Sequence, residues 1–183
     1  MIAAPDGATA TLTAPWPPTP LTPRLQKSSG LLERFVAETQ QRRTVGLLLV
    51  RRGGYAVGVA EGADLVASKV GSRYVQGKTK AGGWSQQRYA RRRAAQAQEA
   101  FAAAADHAQR ILLPRVEDLE GLVAGGDRAA VSAVLADGRL RRLGDLPQGR
   151  FLAVPDPRRA VLEDAVRRSR AVTIDVFDPL RDA

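Results

Sequence analysis

Hydrophobic positions along this chain change their period several times, and each change marks an element. Three runs rich in Val and Leu, about Thr44 to Arg51, Tyr55 to Glu61 and Ala63 to Val70, are separated only by Gly53-Gly54 and Gly62. Such short glycine-containing connections predict an antiparallel meander. Ahead of it, Leu31, Leu32, Phe35 and Val36 share one face of a short helix predicted over about Ser28 to Gln40. Ser28 or Ser29 would cap that helix, and its apolar face is expected to cover a sheet. After the meander, a polar glycine-rich stretch from Gly77 to Gly83 runs into a long helix that ends before Pro114. Within it Ala90, Ala94, Ala97, Phe101, Ala104, Ala108 and Ile111 recur at spacings of four and three, a stripe of mostly small residues that permits close approach to the sheet. Arg88, Arg91 and Arg92 fall off the stripe near the helix start and are expected to face solvent or a phosphate backbone.

The remainder alternates. Leu119 to Ala124 reads as a strand, Asp127 to Leu135 as a helix capped by Asp127, Phe151 to Val154 as a strand, Arg158 to Arg168 as a helix and Val172 to Val176 as a last strand. Alternation after a meander predicts an α/β (α+β) fold, a mixed sheet with helices packed on it. Residues 1–23 are rich in Ala, Thr and Pro and predict a polyproline or loosely coiled arm with Trp16 as its anchor. Residues 24–183 then form a single domain, the default for a chain of 183 residues.

Charge sharpens this picture. The net charge is +9, and from Leu65 to Gln98 there is no Asp or Glu, while Lys69, Arg73, Lys78, Lys80, Arg88, Arg91, Arg92 and Arg93 contribute eight positive charges. Setting those eight aside leaves 20 basic residues against 19 acidic ones, so nearly the whole excess lies in that segment. A field so focused favours a polyanion, with nucleic acid ahead of a membrane because the segment lacks a wide apolar face. Cysteine is absent, which excludes disulfides and thiolate chemistry and suits a reducing compartment. The start of the chain has no basic leader, and the aliphatic run Val45 to Val50 is far too short to span a bilayer. The expectation is a cytoplasmic protein without membrane contact, and nothing in the sequence suggests more than a monomer.

The chemistry is concentrated in Lys78-Thr79-Lys80-Ala81-Gly82-Gly83-Trp84-Ser85-Gln86-Gln87-Arg88-Tyr89-Ala90-Arg91-Arg92-Arg93. This segment resembles the catalytic loop of the middle domain of eukaryotic and archaeal class I peptide-chain release factors, in which Gly-Gly-Gln is followed by a serine and an Arg-Phe-Ala-Arg run. Ser85 and Arg88-Tyr89-Ala90-Arg91 echo that pattern, whereas Trp84 stands where the release-factor glutamine belongs. The variant Gly83-Trp84-Ser85-Gln86 is similar to the Vms-like release-factor (VLRF) family, and the full run most resembles its actinobacterial branch. The resemblance is sharpest over residues 77–93. It implies a release-factor middle-domain fold and hydrolysis of the ester between nascent peptide and tRNA on a stalled or split large subunit. Because the chain has no room for a stop-codon-reading domain, that action is expected to be independent of a stop codon.

The residues suit such work on physical grounds. Gly82 and Gly83 let the main chain enter a crowded pocket. Gln86 is too weak a base to deprotonate water, so its part would be to orient the attacking water, with Gln87 as the alternative. Main-chain N–H groups at the helix start would stabilise the oxyanion, and the terminal ribose hydroxyl of tRNA is implied by the resemblance to assist proton transfer. Trp84 is placed to stack on a base, and Ser85 also suits a helix N-cap. Lys69, Arg73, Lys78, Lys80, Arg88, Arg91, Arg92 and Arg93 are the candidate RNA contacts, so the expected partners are the ribosomal large subunit, its rRNA and the peptidyl-tRNA acceptor end. The competing reading is a non-catalytic ribosome or structured-RNA binding module in which the same loop only anchors.

Other chemistries lack their residues. His107 is the only histidine, so no Ser-His-Asp triad or histidine metal site is expected, and it reads as a surface or edge residue. Glu117, Asp118 and Glu120 match no metal-loop spacing, Asp175 and Asp178 read as a turn or cap, and no phosphate-binding loop of the nucleotide hydrolases occurs. No metal and no cofactor are expected, and no helix-turn-helix signature supports sequence-specific DNA binding.

Overall fold

The computed structural model describes residues 1–16, 30–72 and 84–179, with the backbone alone over 84–94. Its contacts divide the chain into two compact units, Arg42–Arg168, and Met1–Gln41 with Ser169–Ala183.

The larger unit is organised by three strands, β3 (Thr44–Arg51), β4 (Gly54–Glu61) and β5 (Asp64–Ser72), which pair antiparallel as the meander predicts. β6 (Gly121–Gly126) joins β3 in parallel, giving the order β5-β4-β3-β6. The strand expected over Leu119 to Ala124 is therefore displaced by two residues; Leu119 is instead buried ahead of it. The outer edge of β6 is not bare. The segment Pro147–Leu152 runs alongside it through Leu122 N to Pro147 O, Leu152 N to Ala124 O and Gly126 N to Leu152 O, each 2.9 Å. That segment makes only single bridges at Gln148 and Leu152, so the strand expected at Phe151 to Val154 does not form.

Alternation along β3 explains why helices cover both faces. Leu47, Leu48, Leu49 and Val50 are essentially fully buried, which requires a cover on each side. Leu48 and Val50, with Tyr55, Val57 and Val59 of β4, pack against Ala104, Ala105, Ala108 and Leu112 of the long helix α2 (Trp84–Ile111) and against α3 (Arg128–Leu135). On the opposite face, Gly58 lies against Leu162 of α5 (Arg159–Ser169), and Gly125 against Leu49 and Leu152. A short helix α4 (Arg141–Gly144) follows a 3-10 turn at Gly138–Leu140. The stripe predicted on α2 is correct in its lower half, where Ala104 and Ala108 are buried, and is widened there by Ala100 and Ala105. Asp127 caps α3 as expected, its side chain accepting from Ala129 N at 3.0 Å.

The smaller unit departs from the sequence expectation. Residues read as coil form β1 (Ile2–Ala3) and β2 (Thr9–Thr13), joined by a turn in which Ala8 N donates to Asp6 Oδ1 and Gly7 takes a positive φ of 85°. The last strand, β7 (Thr173–Phe177), pairs antiparallel with β2, Leu12 opposite Ile174 and Ala10 opposite Val176, and so belongs to a separate three-stranded sheet. The helix α1 (Leu31–Thr39) begins after Gly30 with no side-chain cap; Ser28 and Ser29 lie outside the described residues. Of the four residues on its apolar face, Leu31 is 81% exposed, Leu32 and Val36 are also exposed, and Phe35 is half-buried. Trp16 is buried.

Gly126 decides the exit from β6. Its φ is +102°, Asp127 N donates to Val50 O, and a methyl group on Gly126 would run into the Val50 carbonyl. Gly126→Ala is expected to cost at least about 2 kcal/mol in denaturant unfolding, whereas Gly53→Ala, at a position with ordinary φ and open space, should change stability by less than about 1 kcal/mol. Equal effects of the two substitutions would refute this account of the turn.

Candidate functional site

The glycine-rich loop leaves the larger sheet at the end of β5 and enters α2 at Trp84. Register locates its root. Ser72 lies opposite Gly54, Gly71 opposite Tyr55 and Lys69 opposite Val57, while Val50 faces Tyr55 on one side and Gly126 on the other. The loop thus springs from the sheet end shared by the β3–β4 turn and the entry to α3.

Of the residues singled out in the sequence, Gly82, Gly83, Arg73, Lys78 and Lys80 lie outside the described residues. Trp84, Ser85, Gln86 and Gln87 make the first turn of α2, followed directly by Arg88, Arg91, Arg92 and Arg93; their side chains are outside the described residues as well. Ser85 lies within the helix, and the residues that precede Trp84 are outside the described residues. Lys69 is described fully. It is exposed on edge strand β5, in register with Val57 and therefore on the face that carries α2.

The root of the loop holds a contact that sequence reading missed. His107 is half-buried on α2 and stacks on Tyr55, the ring centroids 5.6 Å apart and the planes inclined by 28°. Gly71 makes the arrangement possible, since a side chain there would occupy the space of the Tyr55 ring. Burial lowers the His107 pKa below its ordinary value of 6.5, and the positive charges of Arg110 and Lys69 push it the same way, against the opposing pull of Asp106. The signal available in sequence was only indirect: a lone histidine three residues from an arginine on the flank of an apolar stripe.

A second cluster fixes α2 to the 3-10 turn that follows α3. Arg139 pairs with Asp106 at 2.9 Å and with Asp137 at 2.6 Å, and it donates to Gln109 Oε1 at 2.9 Å. The guanidinium and the Arg139 N–H together hold the Asp137 carboxyl down at about 2. The acidic cluster is likewise structural. Glu120 accepts from Thr44 N at 3.0 Å and from Arg43 Nη1 at 3.1 Å, and Glu117 pairs with Arg142. Among the described residues no group of His, Asp and Glu is placed to hold a metal ion. No helix among them is long and apolar enough to cross a membrane.

More positive charge gathers at the same sheet end than the count over Leu65 to Gln98 suggested. Arg51 donates to Val154 O at 2.9 Å and lies 3.5 Å from Asp156, the Arg128 guanidinium sits 4.1 Å above the Phe151 ring, and Arg52 is exposed in the β3–β4 turn. These residues are distant in sequence from β5 and reach its end of the sheet only through strand pairing.

Comparison with known proteins gives this architecture a class. The fold is that of a release-factor domain: the crystal structure of the archaeal translation termination factor aRF1 matches with a TM-score of 0.53 at 22% identity, over 69% of this chain and 34% of that one. A structure described as the Vms1 mitochondrial localization core matches with a TM-score of 0.50 at 12% identity, over 81% of this chain and 66% of that one. Peptide chain release factor subunit 1 of Thermococcus sibiricus and that of Pyrococcus abyssi are each 32% identical over 117 residues, covering 60% of this chain. The chain spans 28% of the length of those relatives. The family model described as Actinobacteria/chloroflexi VLRF1 release factor matches residues 43–175, and the chain belongs to that family.

The Tyr55–His107 stack depends on a bare backbone at Gly71. Gly71→Ala is expected to displace the Tyr55 ring and to destabilise the protein by roughly 1 to 3 kcal/mol in urea unfolding. A variant as stable as the wild type, with the histidine ring signals unshifted in proton NMR, would show that the ring does not need that space.

Proposed function

We propose that the chain is a peptidyl-tRNA hydrolase of ribosome rescue, which frees nascent chains from peptidyl-tRNA held on stalled large subunits without reading a stop codon. Membership of a release-factor family supports a role in translation termination or ribosome rescue. The observation that carries the finer reading is the Gly83-Trp84-Ser85-Gln86 sequence at the point where a loop from the β5 edge becomes the first turn of α2.

In this reading the loop enters the peptidyl-transferase centre and Gln86 orients a water against the ester carbonyl carbon. The C–O bond to the terminal ribose breaks, the water oxygen stays on the peptide as its carboxylate, one water proton passes to the departing ribose oxygen and the other is released to solvent. Orientation suffices because the ester is already activated, and a positioned water supplies several kcal/mol of barrier reduction. Main-chain N–H groups at the start of α2 would face the developing oxyanion. Arg73, Lys78, Lys80, Arg88, Arg91, Arg92 and Arg93 hold rRNA and the tRNA acceptor end through phosphates. A cytoplasmic, monomeric protein acting without metal or cofactor completes the proposal.

Release of labelled peptide from purified large subunits carrying peptidyl-tRNA tests it. Gln86→Ala is expected to slow release by about 100-fold or more while leaving subunit affinity within about twofold, and Gln87→Ala should have the smaller effect. Wild-type protein that leaves the ester intact, where a known release factor cleaves it, would exclude hydrolysis; binding without release would favour the anchoring module. Changing Arg91, Arg92 and Arg93 together to Ala should weaken subunit binding and reduce its logarithmic salt slope by about 2 to 3. An unchanged slope would remove these arginines from the RNA contact.

A further inference from the structure

Lys69, His107 and Arg110 come together although two elements supply them. Lys69 rises from edge strand β5 on the face covered by α2, diagonal to the Tyr55 and Gly71 pair. His107 is held over β4 by its stack on Tyr55, and Arg110 follows three residues later on the same helix flank. Lys69 and Arg110 are exposed, and His107 is half open to solvent. Arg110 uses its Nε to donate to Asp106 O at 3.2 Å, and among the described residues no carboxylate pairs with its outer nitrogens or with the Lys69 ammonium. Asp106, the acid whose charge acts on His107, is engaged by Arg139 at 2.9 Å. The seam between β5 and α2 therefore exposes two permanent cations beside an imidazole, and among the described residues the acid that acts on that imidazole, Asp106, is already paired to Arg139.

The geometry points to a phosphodiester-binding subsite formed by Lys69, His107 and Arg110, which grips the backbone of an RNA strand beside the root of the glycine loop. The inference rests on the reading of the chain as an RNA-facing translation factor, and it adds His107 and Arg110 to the contacts. A phosphate here accepts from the Lys69 ammonium, from the Arg110 guanidinium and from an imidazole N–H, three donors of different reach around one anion. RNA is favoured over free phosphate because Lys69 opens the acid-free stretch that continues through the loop into α2.

Proton linkage follows from the surroundings. The groups facing the imidazole are Lys69 from β5, Tyr55 from β4, and Asp106 and Arg110 from α2, with Asp106 itself paired to Arg139. In the free protein burial and the two cations disfavour the charged imidazole. A bound phosphate reverses the sign of the local field and raises the pKa, so the complex takes up a proton and binding strengthens as pH falls through the titration of His107.

His107 is the only histidine, so its ring signals in proton NMR report this site without overlap in the untagged full chain. Titrations are compared for free protein, protein with inorganic phosphate, and protein with a tRNA acceptor-stem minihelix. The expected result is a midpoint below 6.5 in the free chain that moves up when the minihelix binds. Lys69→Ala and Arg110→Ala should each lower minihelix affinity roughly three- to tenfold and reduce the salt slope by about 1. His107→Gln should remove the gain in affinity between about pH 8 and about pH 6 without changing the fold as judged by circular dichroism. A minihelix that binds while the midpoint stays put, or a midpoint moved by inorganic phosphate and not by RNA, overturns the proposal. Loss of peptide release with the RNA-induced shift retained would overturn the hydrolase reading and leave this one standing.

Discussion

Burial of β3 on both faces is the constraint from which the larger unit follows. A strand whose consecutive residues Leu47, Leu48, Leu49 and Val50 are all inside cannot border water on either side. One face is closed by α2 and α3, the other by α5, and the parallel partner β6 follows from returning the chain to the free edge of β3 after α2 has crossed the sheet. The packing that fixes α2 lies in its C-terminal half, where Ala100, Ala104, Ala105 and Ala108 are buried.

The smaller unit is built on different terms. Its sheet has three short strands, and Ile174, Val176 and Phe177 of β7 are all more than half exposed. A sheet of this size buries little apolar surface and gains most from its ladder of main-chain hydrogen bonds. The family match begins at residue 43 and ends at residue 175, so it includes all of the larger unit but Arg42 and reaches into β7.

Electrostatics tie the fold to the proposed work. The acids near α2 are taken up by particular arginines: Asp106 and Asp137 by Arg139, Glu117 by Arg142, and Glu61 by Arg115 at 3.2 Å. These exposed pairs contribute little stability individually. Their greater effect is on the field, since acids neutralised in this way no longer oppose the exposed charges of Lys69 and Arg110.

Sequence alone determined the meander, the long helix, the Asp127 cap and the release-factor resemblance, because each is written in local signals: alternation broken by glycine, a three-and-four stripe, a capping side chain, and a short motif at a helix start. It was weaker wherever partners are distant. The Thr9–Thr13 strand was hidden by the prolines that follow it, although Asp6-Gly7 is a hairpin turn signal, and its pairing with β7 links the two ends of the chain. The α1 stripe was legible, yet amphipathic spacing says only that a face is apolar, not that anything covers it. For the site, the motif residues were readable as residue types, while the Tyr55–His107 stack over Gly71 and the placing of Lys69 and Arg110 near His107 required the tertiary structure. Strand register and helix packing decide those contacts, and both are set by long-range burial that no short window of sequence contains.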